Sequence, residues 1–66
     1  MTIRVNGREH NLPPDQKIDE LLDVLRLPRR DVAVALDGAV VPRSRWSTQP
    51  VPDGSSLEVV AAMQGG

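Results

Sequence analysis

Two turn signals constrain the fold of this chain more than any other feature of its sequence. Asn6-Gly7 and Asp37-Gly38 favour two-residue hairpin turns, because both positions of such a turn adopt positive φ. Around the first signal, residues 2–6 and 8–12 are predicted to pair as antiparallel strands. The second signal predicts that residues 39–41 return as a strand beside the apolar run that precedes it.

A single amphipathic helix is predicted between the two hairpins. Pro13-Pro14 ends the first hairpin, because neither residue has an N–H group to donate to a sheet. Asp15 is then a candidate N-cap, and Pro28 is a candidate stop. The helix of about ten residues between them follows from apolar residues spaced at i, i+3, i+4 and i+7, which are Ile18, Leu21, Leu22 and Leu25.

The second half of the chain contains further strand signals and one aromatic residue. Residues 32–36 form a nearly continuous apolar run, which favours a strand buried on both faces near the middle of a sheet. Residues 43–48 are predicted to form a polar turn around Trp46, the only aromatic residue. We expect Trp46 to close one end of the core, and an anchor in a binding interface is the alternative. Residues 57–63 are the last predicted strand, and they lead directly to Gly65-Gly66.

These elements predict a mixed α+β domain in which one helix covers one face of a single sheet. A right-handed crossover through the helix lets the last strand lie beside the first strand, at the centre of the sheet. The outgoing end of the last strand then projects beyond the rim of the fold. Residues 1–63 are accordingly predicted to form the domain, and residues 64–66 a flexible tail.

Composition argues against several classes of function. Eight basic and nine acidic residues give a net charge of −1, without the basic field that binding to nucleic acid or an anionic membrane usually requires. The absence of cysteine excludes disulfides, thiolate metal sites and thiol catalysis. His10 lacks a second histidine or a cysteine with which to bind a metal, so no metal site is predicted. Without a signal peptide or an apolar run of about 20 residues, we expect a cytoplasmic location.

Gly65-Gly66 offers a carboxylate without neighbouring side chains. Glycine has no Cβ, so such an end fits a narrow channel that other residues would block. Gly66 is the candidate site of covalent modification. Gly65 keeps the tail narrow enough to enter the active site of a partner enzyme. Transfer of AMP from ATP would activate the carboxylate as a mixed anhydride, which a sulfur or nitrogen nucleophile attacks. A frayed terminus without a function is the alternative interpretation of the same two residues.

Four arginines offer a second candidate feature. Arg43 and Arg45, together with Arg29 and Arg30, could form a basic patch that docks against an acidic partner surface. Ordinary solvation of these side chains is the alternative.

A V-V-P-R-x-x-W run begins at Val40 and is the most specific of several motifs in the chain. The others are Ile3 to Gly7, Ile18 to Leu22, Ala35 to Gly38, and Gly65-Gly66. Together they resemble the sulfur carrier proteins of thiamine biosynthesis, the ThiS family, over essentially the whole chain. The resemblance implies the ubiquitin-like β-grasp fold, in which a mixed sheet of four to five strands packs on one helix.

The resemblance also implies that the chain is a carrier rather than an enzyme. An E1-like adenylyltransferase of the ThiF type would use ATP to adenylate Gly66. A sulfur donor protein would supply the sulfur that converts the terminus to a thiocarboxylate, which then passes sulfur to a thiazole synthase of the ThiG type. No cofactor is expected on the chain itself.

Two other functions stay open. The small subunit of molybdopterin synthase, of the MoaD type, shares the fold and the tail but passes its sulfur to a different synthase. The V-V-P-R-x-x-W run argues against that function. A non-covalent ubiquitin-like interaction module would not use Gly65 and Gly66, so it would keep its function when they are deleted.

Overall fold

Both hairpin turns have the backbone conformation that the sequence predicts. The computed structural model describes residues 1–61. In the turns, the φ angles are 52° and 82° for Asn6 and Gly7, and 49° and 86° for Asp37 and Gly38. Glycine, asparagine and aspartate adopt this left-handed region more readily than other residues. The strands on either side of each turn pair antiparallel, so both predicted hairpins are confirmed.

Five strands form one mixed sheet within the described residues. The elements in chain order are β1 (Thr2–Val5), β2 (Arg8–Asn11), α1 (Ile18–Val24), β3 (Val32–Leu36), β4 (Ala39–Val41), a 3₁₀ helix (Arg43–Arg45) and β5 (Ser56–Ala61). The strand order is β2-β1-β5-β3-β4, with β5 parallel to β1 and antiparallel to β3. This confirms that the last strand lies beside the first at the centre of the sheet. The predicted strand positions 62 and 63, and the predicted tail 64–66, lie outside the described residues.

The burial of β3 differs from the prediction. The apolar run predicts a strand buried on both faces, but Val34 is the one residue of β3 that is fully buried. The reason is that α1 covers one face of the sheet, whereas the other face presents exposed side chains such as Val40 and Val60. β3 lies between β5 and β4, one place from the edge of the sheet.

The start of α1 also differs from the prediction. Asp15 is not the N-cap: it lies before the helix with a φ of 61°, and Lys17 occupies the cap position. Remote backbone carbonyls replace a capping side chain, because the N–H groups of Ile18 and Asp19 donate to the carbonyls of Gln49 and Trp46, each at 3.2 Å. The first-turn donors that a cap would satisfy are therefore already bonded.

The end of α1 precedes the predicted stop. Arg26 adopts a φ of 57° just after the helix. The N–H of Leu27 donates to the carbonyl of Leu22 at 2.8 Å, and the N–H of Arg26 donates to the carbonyl of Asp23 at 3.0 Å. These two bonds define a Schellman motif, which terminates a helix without proline. The prediction that Pro28 ends the helix is therefore wrong.

The apolar face of α1 packs on the sheet as predicted. Leu21, Leu22 and Ile18 are fully buried, and Leu25 is half-buried. Trp46 is also in the core, with 5% of its surface exposed, and its indole Nε1 donates to the carbonyl of Val41 at 2.9 Å. The remaining buried apolar residues are Ile3, Val5, Leu12, Val34, Val41, Val51, Leu57 and Val59.

We expect Leu22→Ala to lower the free energy of unfolding by about 2 to 5 kcal/mol, because it opens a cavity beneath the helix. Val24→Ala is the matched control, since Val24 lies on the same helix but is 50% exposed. Urea unfolding of both variants measures the difference. Equal midpoints would contradict the assignment of the buried helix face.

Candidate functional site

The outgoing end of β5, at Ala61, is the part of the described structure closest along the chain to Gly65 and Gly66. On one flank, β5 pairs with β3 as far as Ala61, which lies opposite Val32. On the other flank, pairing with β1 ends earlier, where Leu57 lies opposite Val5. The last residues of β5 therefore have a backbone strand partner on one flank only among residues 1–61.

The side chain of Asn6 extends the hydrogen bonding on the β1 side of β5 by two residues, from Leu57 to Val59. Its Nδ2 donates to the carbonyl of Val59 at 3.1 Å, and the N–H of Val59 donates to its Oδ1 at 2.8 Å. Its own backbone N–H donates to the carbonyl of Leu57 at 2.9 Å. We refer to the two side-chain bonds as the Asn6–Val59 amide pair. A turn residue thus supplies the hydrogen bonds that a continuing strand would otherwise make.

Asp37, the matching residue of the second hairpin turn, bonds to the opposite end of β5. The N–H of Ser56 donates to its Oδ1 at 2.8 Å, and its own N–H donates to the carbonyl of Ser56 at 2.8 Å. Asp37 therefore forms hydrogen bonds to the start of β5 on the side that faces β3. Asn6 forms hydrogen bonds near the outgoing end of β5 on the side that faces β1.

The sequence pattern assigns Asn6 only to a turn and does not indicate its hydrogen bonds to Val59. Asparagine offers both a donor and an acceptor, and it tolerates positive φ, so its side chain was free to bond elsewhere. No local signal identifies Val59 as the partner, because the two residues are far apart in the chain.

The arginines predicted as a docking patch are partly engaged within the domain. The guanidinium carbon of Arg43 lies 5.1 Å from the centroid of the Trp46 ring, and Arg43 Nη2 donates to the carbonyl of Arg29. Arg29 forms an ion pair with Asp23 at 2.9 Å. Arg45 lies exposed on the same 3₁₀ helix as Arg43. The structure therefore brings Arg29 and Arg43 together.

The face of the sheet opposite α1 presents an apolar surface near the end of β5. Val40 is 73% exposed and Val60 is 57% exposed, although both are large apolar residues. A shallow depression between them is lined by Ala33, Ala35 and Glu58. We refer to these five residues as the open-face patch.

The described part of the chain contains neither a metal-binding cluster nor a membrane-spanning helix. Within residues 1–61, no three histidine, cysteine, aspartate or glutamate residues are grouped so that they could hold a metal ion. The same residues contain no helix that is long and apolar enough to cross a membrane.

The mixed sheet with a central last strand, packed on one helix, defines a ubiquitin-like β-grasp domain within residues 1–61. The model of the ThiS family matches residues 3–66, and the chain therefore belongs to the ThiS family. This confirms the resemblance that the sequence motifs indicate.

Solved structures agree with that assignment. The crystal structure of the thiamine biosynthesis protein ThiS from Geobacter metallireducens is 30% identical, and the match covers 100% of both chains with a TM-score of 0.89. An NMR structure of a thiamine biosynthesis protein from the same organism is also 30% identical. That match covers 100% of this chain and 88% of the other, with a TM-score of 0.78.

A longer protein also contains a similar segment. The thiazole synthase of Paramagnetospirillum magneticum is 36% identical over 66 residues. The match covers 100% of this chain but only 20% of the synthase, so this chain spans about a fifth of that relative's length.

We expect Arg43→Ala to lower the free energy of unfolding by about 0.5 to 1 kcal/mol through loss of the contact with the Trp46 ring. Arg45→Ala is the control on the same short helix and should leave stability within about 0.5 kcal/mol of the wild type. Chemical denaturation of both variants provides the comparison. If Arg43→Ala unfolds at the wild-type midpoint, the stacking contact contributes nothing to stability.

Proposed function

We propose that this chain is a sulfur carrier of thiamine biosynthesis, whose Gly66 carboxylate is adenylated, converted to a thiocarboxylate and used as the sulfur source for thiazole formation. The observation that carries the proposal is the family match through residue 66, which includes Gly65 and Gly66. The fold supports it, because β5 runs through the centre of the sheet toward those residues. Under this proposal the chain is a substrate and carrier, and its partners perform the catalysis.

The proposed activation uses a carboxylate oxygen of Gly66 as the nucleophile. The oxygen attacks the α-phosphorus of ATP, pyrophosphate leaves, and an acyl adenylate forms. Hydrosulfide released by a donor protein then attacks the carbonyl carbon, the C–O bond to AMP breaks, and the thiocarboxylate stays on Gly66 as AMP leaves. An E1-like enzyme supplies the groups that bind ATP, so the proposal requires no cofactor on this chain. We place these reactions in the cytoplasm, where ATP is available.

The proposed sulfur acceptor is a thiazole synthase. In Paramagnetospirillum magneticum, a segment similar to this chain belongs to a protein named thiazole synthase. Joining two interacting domains in one chain raises their effective concentration, which favours an encounter that would otherwise be bimolecular. This supports the synthase as a partner of the carrier domain.

The open-face patch is the proposed docking surface for the activating enzyme. Val60 lies one residue before Ala61, the last described residue, so a partner that covers this patch also contacts the end of β5 that precedes Gly65 and Gly66 in the sequence. Exposed apolar side chains on an otherwise charged surface mark contact sites. Arg43 and Arg45 stay predicted docking residues that would add charge complementarity, although Arg43 also stacks on Trp46.

We expect incubation with an E1-like adenylyltransferase, ATP and a sulfur donor to increase the intact mass of the chain by the difference between sulfur and oxygen. Mass spectrometry of the whole protein detects this change. Deletion of Gly65 and Gly66 should abolish it, because no carboxylate then reaches the active site.

Gly66→Ala serves as the more conservative variant in the same experiment. It should unfold like the wild type but form less adduct, because the added Cβ obstructs a narrow channel. Absence of any adduct on the wild-type chain with its matching enzyme would contradict the proposed function. Co-purification with a large molybdopterin synthase subunit, rather than with a thiazole synthase, would favour the MoaD-type alternative.

We expect Val60→Asp to weaken binding to the activating enzyme by about tenfold or more, because it places a charge in an apolar contact. Val24→Asp is the control, since Val24 is also about half exposed but lies on α1. Titration calorimetry with the enzyme measures both affinities. Equal affinities for the two variants would place the docking surface elsewhere.

A further inference from the structure

At the outgoing end of β5, one side chain makes the hydrogen bonds on the flank that faces β1. Backbone pairing with β1 ends at Leu57, and the Asn6–Val59 amide pair is the next contact on that side. Residues 59–61, which we refer to as the tail root, lie between this contact and the described end of the chain. Without the amide pair, the tail root would be paired with β3 alone among residues 1–61.

The bond pattern indicates why asparagine is suited to this position. Val59 presents both an N–H and a carbonyl toward Asn6. The side-chain Oδ1 of Asn6 accepts from the N–H, and its Nδ2 donates to the carbonyl. Aspartate would keep the acceptor but would place a second oxygen against the carbonyl of Val59. Glycine would preserve the turn, because it adopts positive φ freely, but it would remove both bonds.

We propose that Asn6 is a positioning residue for the adenylation of Gly66: its amide pair with Val59 fixes the tail root, the described segment from which the chain continues to Gly66. The inference rests on the proposed function above. Gly66 follows Val59 by seven residues in the sequence, so Asn6 is proposed to act through Val59 rather than as a catalytic residue. It acts by limiting the orientations from which the carboxylate approaches ATP.

The kinetic consequence is a loss of kcat with little change in KM. Docking through the open-face patch does not involve the side chain of Asn6, so the affinity of the enzyme for the domain is retained. Attack on the α-phosphorus requires a precise approach, and small misplacements of a reacting group lower rates by up to about a hundredfold. A less ordered tail root populates the productive approach less often.

The test compares Asn6→Gly with Asp37→Gly in steady-state adenylation, with pyrophosphate release measured against carrier concentration. Each variant keeps its turn and removes a side chain that bonds β5, but at opposite ends of the strand. We expect kcat to fall about tenfold for Asn6→Gly, with KM within about twofold of the wild type. Asp37→Gly should keep the wild-type kcat.

Amide hydrogen exchange of the isolated carrier provides a readout that does not depend on activity. Asn6→Gly should accelerate exchange at Val59 while leaving Ser56 unchanged, and Asp37→Gly should do the reverse. Asn6→Asp, which retains the acceptor, should give an intermediate kcat. It also replaces Asn6→Gly if that variant does not unfold cooperatively.

The outcomes separate the two proposals. An equal fall of kcat in Asn6→Gly and Asp37→Gly would assign the effect to stability alone and overturn the positioning role. Unchanged exchange at Val59, or a wild-type kcat in Asn6→Gly, would overturn it as well. A wild-type chain that is not adenylated at all would overturn the proposed function, and the positioning role with it.

Discussion

Pairing of β5 on both of its sides is the interaction on which the rest of the structure depends. Each hairpin forms between neighbouring segments, but among residues 1–61 the two hairpins join into one sheet only through β5. Leu57 lies opposite Val5 on one side and Leu36 on the other, and it is fully buried. The helix can bury its apolar face only on a sheet that β5 has completed.

Local signals predicted the elements whose conformation depends on neighbouring residues. Both turns require positive φ, which Asn-Gly and Asp-Gly sequences supply, and helical spacing identified the buried face that contains Leu22. The helix ends could not be predicted in the same way. Its first N–H groups bond to carbonyls that follow much later in the chain. It ends at Val24, two residues before Arg26, a residue type for which positive φ is uncommon. Long-range hydrogen bonds therefore replace a cap at Asp15, and a local Schellman motif ends the helix before Pro28.

Sequence motifs predicted the part of the candidate site that the family defines. Gly65-Gly66 and the V-V-P-R-x-x-W run indicated the family, and the fold explains the second motif physically. Trp46 fills the core, its carbonyl accepts the N–H of Asp19, and Arg43 stacks on its ring. The motif thus joins the end of β4 to the start of α1. The role of Asn6 was not predictable, because it depends on where β5 inserts.

The central position of the last described strand makes assembly of the sheet depend on β5. Chains leave the ribosome from the N-terminus, so both hairpins and the helix emerge before β5 is available to join them. A chain truncated before Ser56 would leave the inner edges of β1 and β3 unpaired, and such edges favour aggregation. The strand that completes the sheet is also the one that leads to Gly66. An enzyme that recognises the assembled sheet would therefore accept chains in which β5 has paired and ignore chains truncated before it.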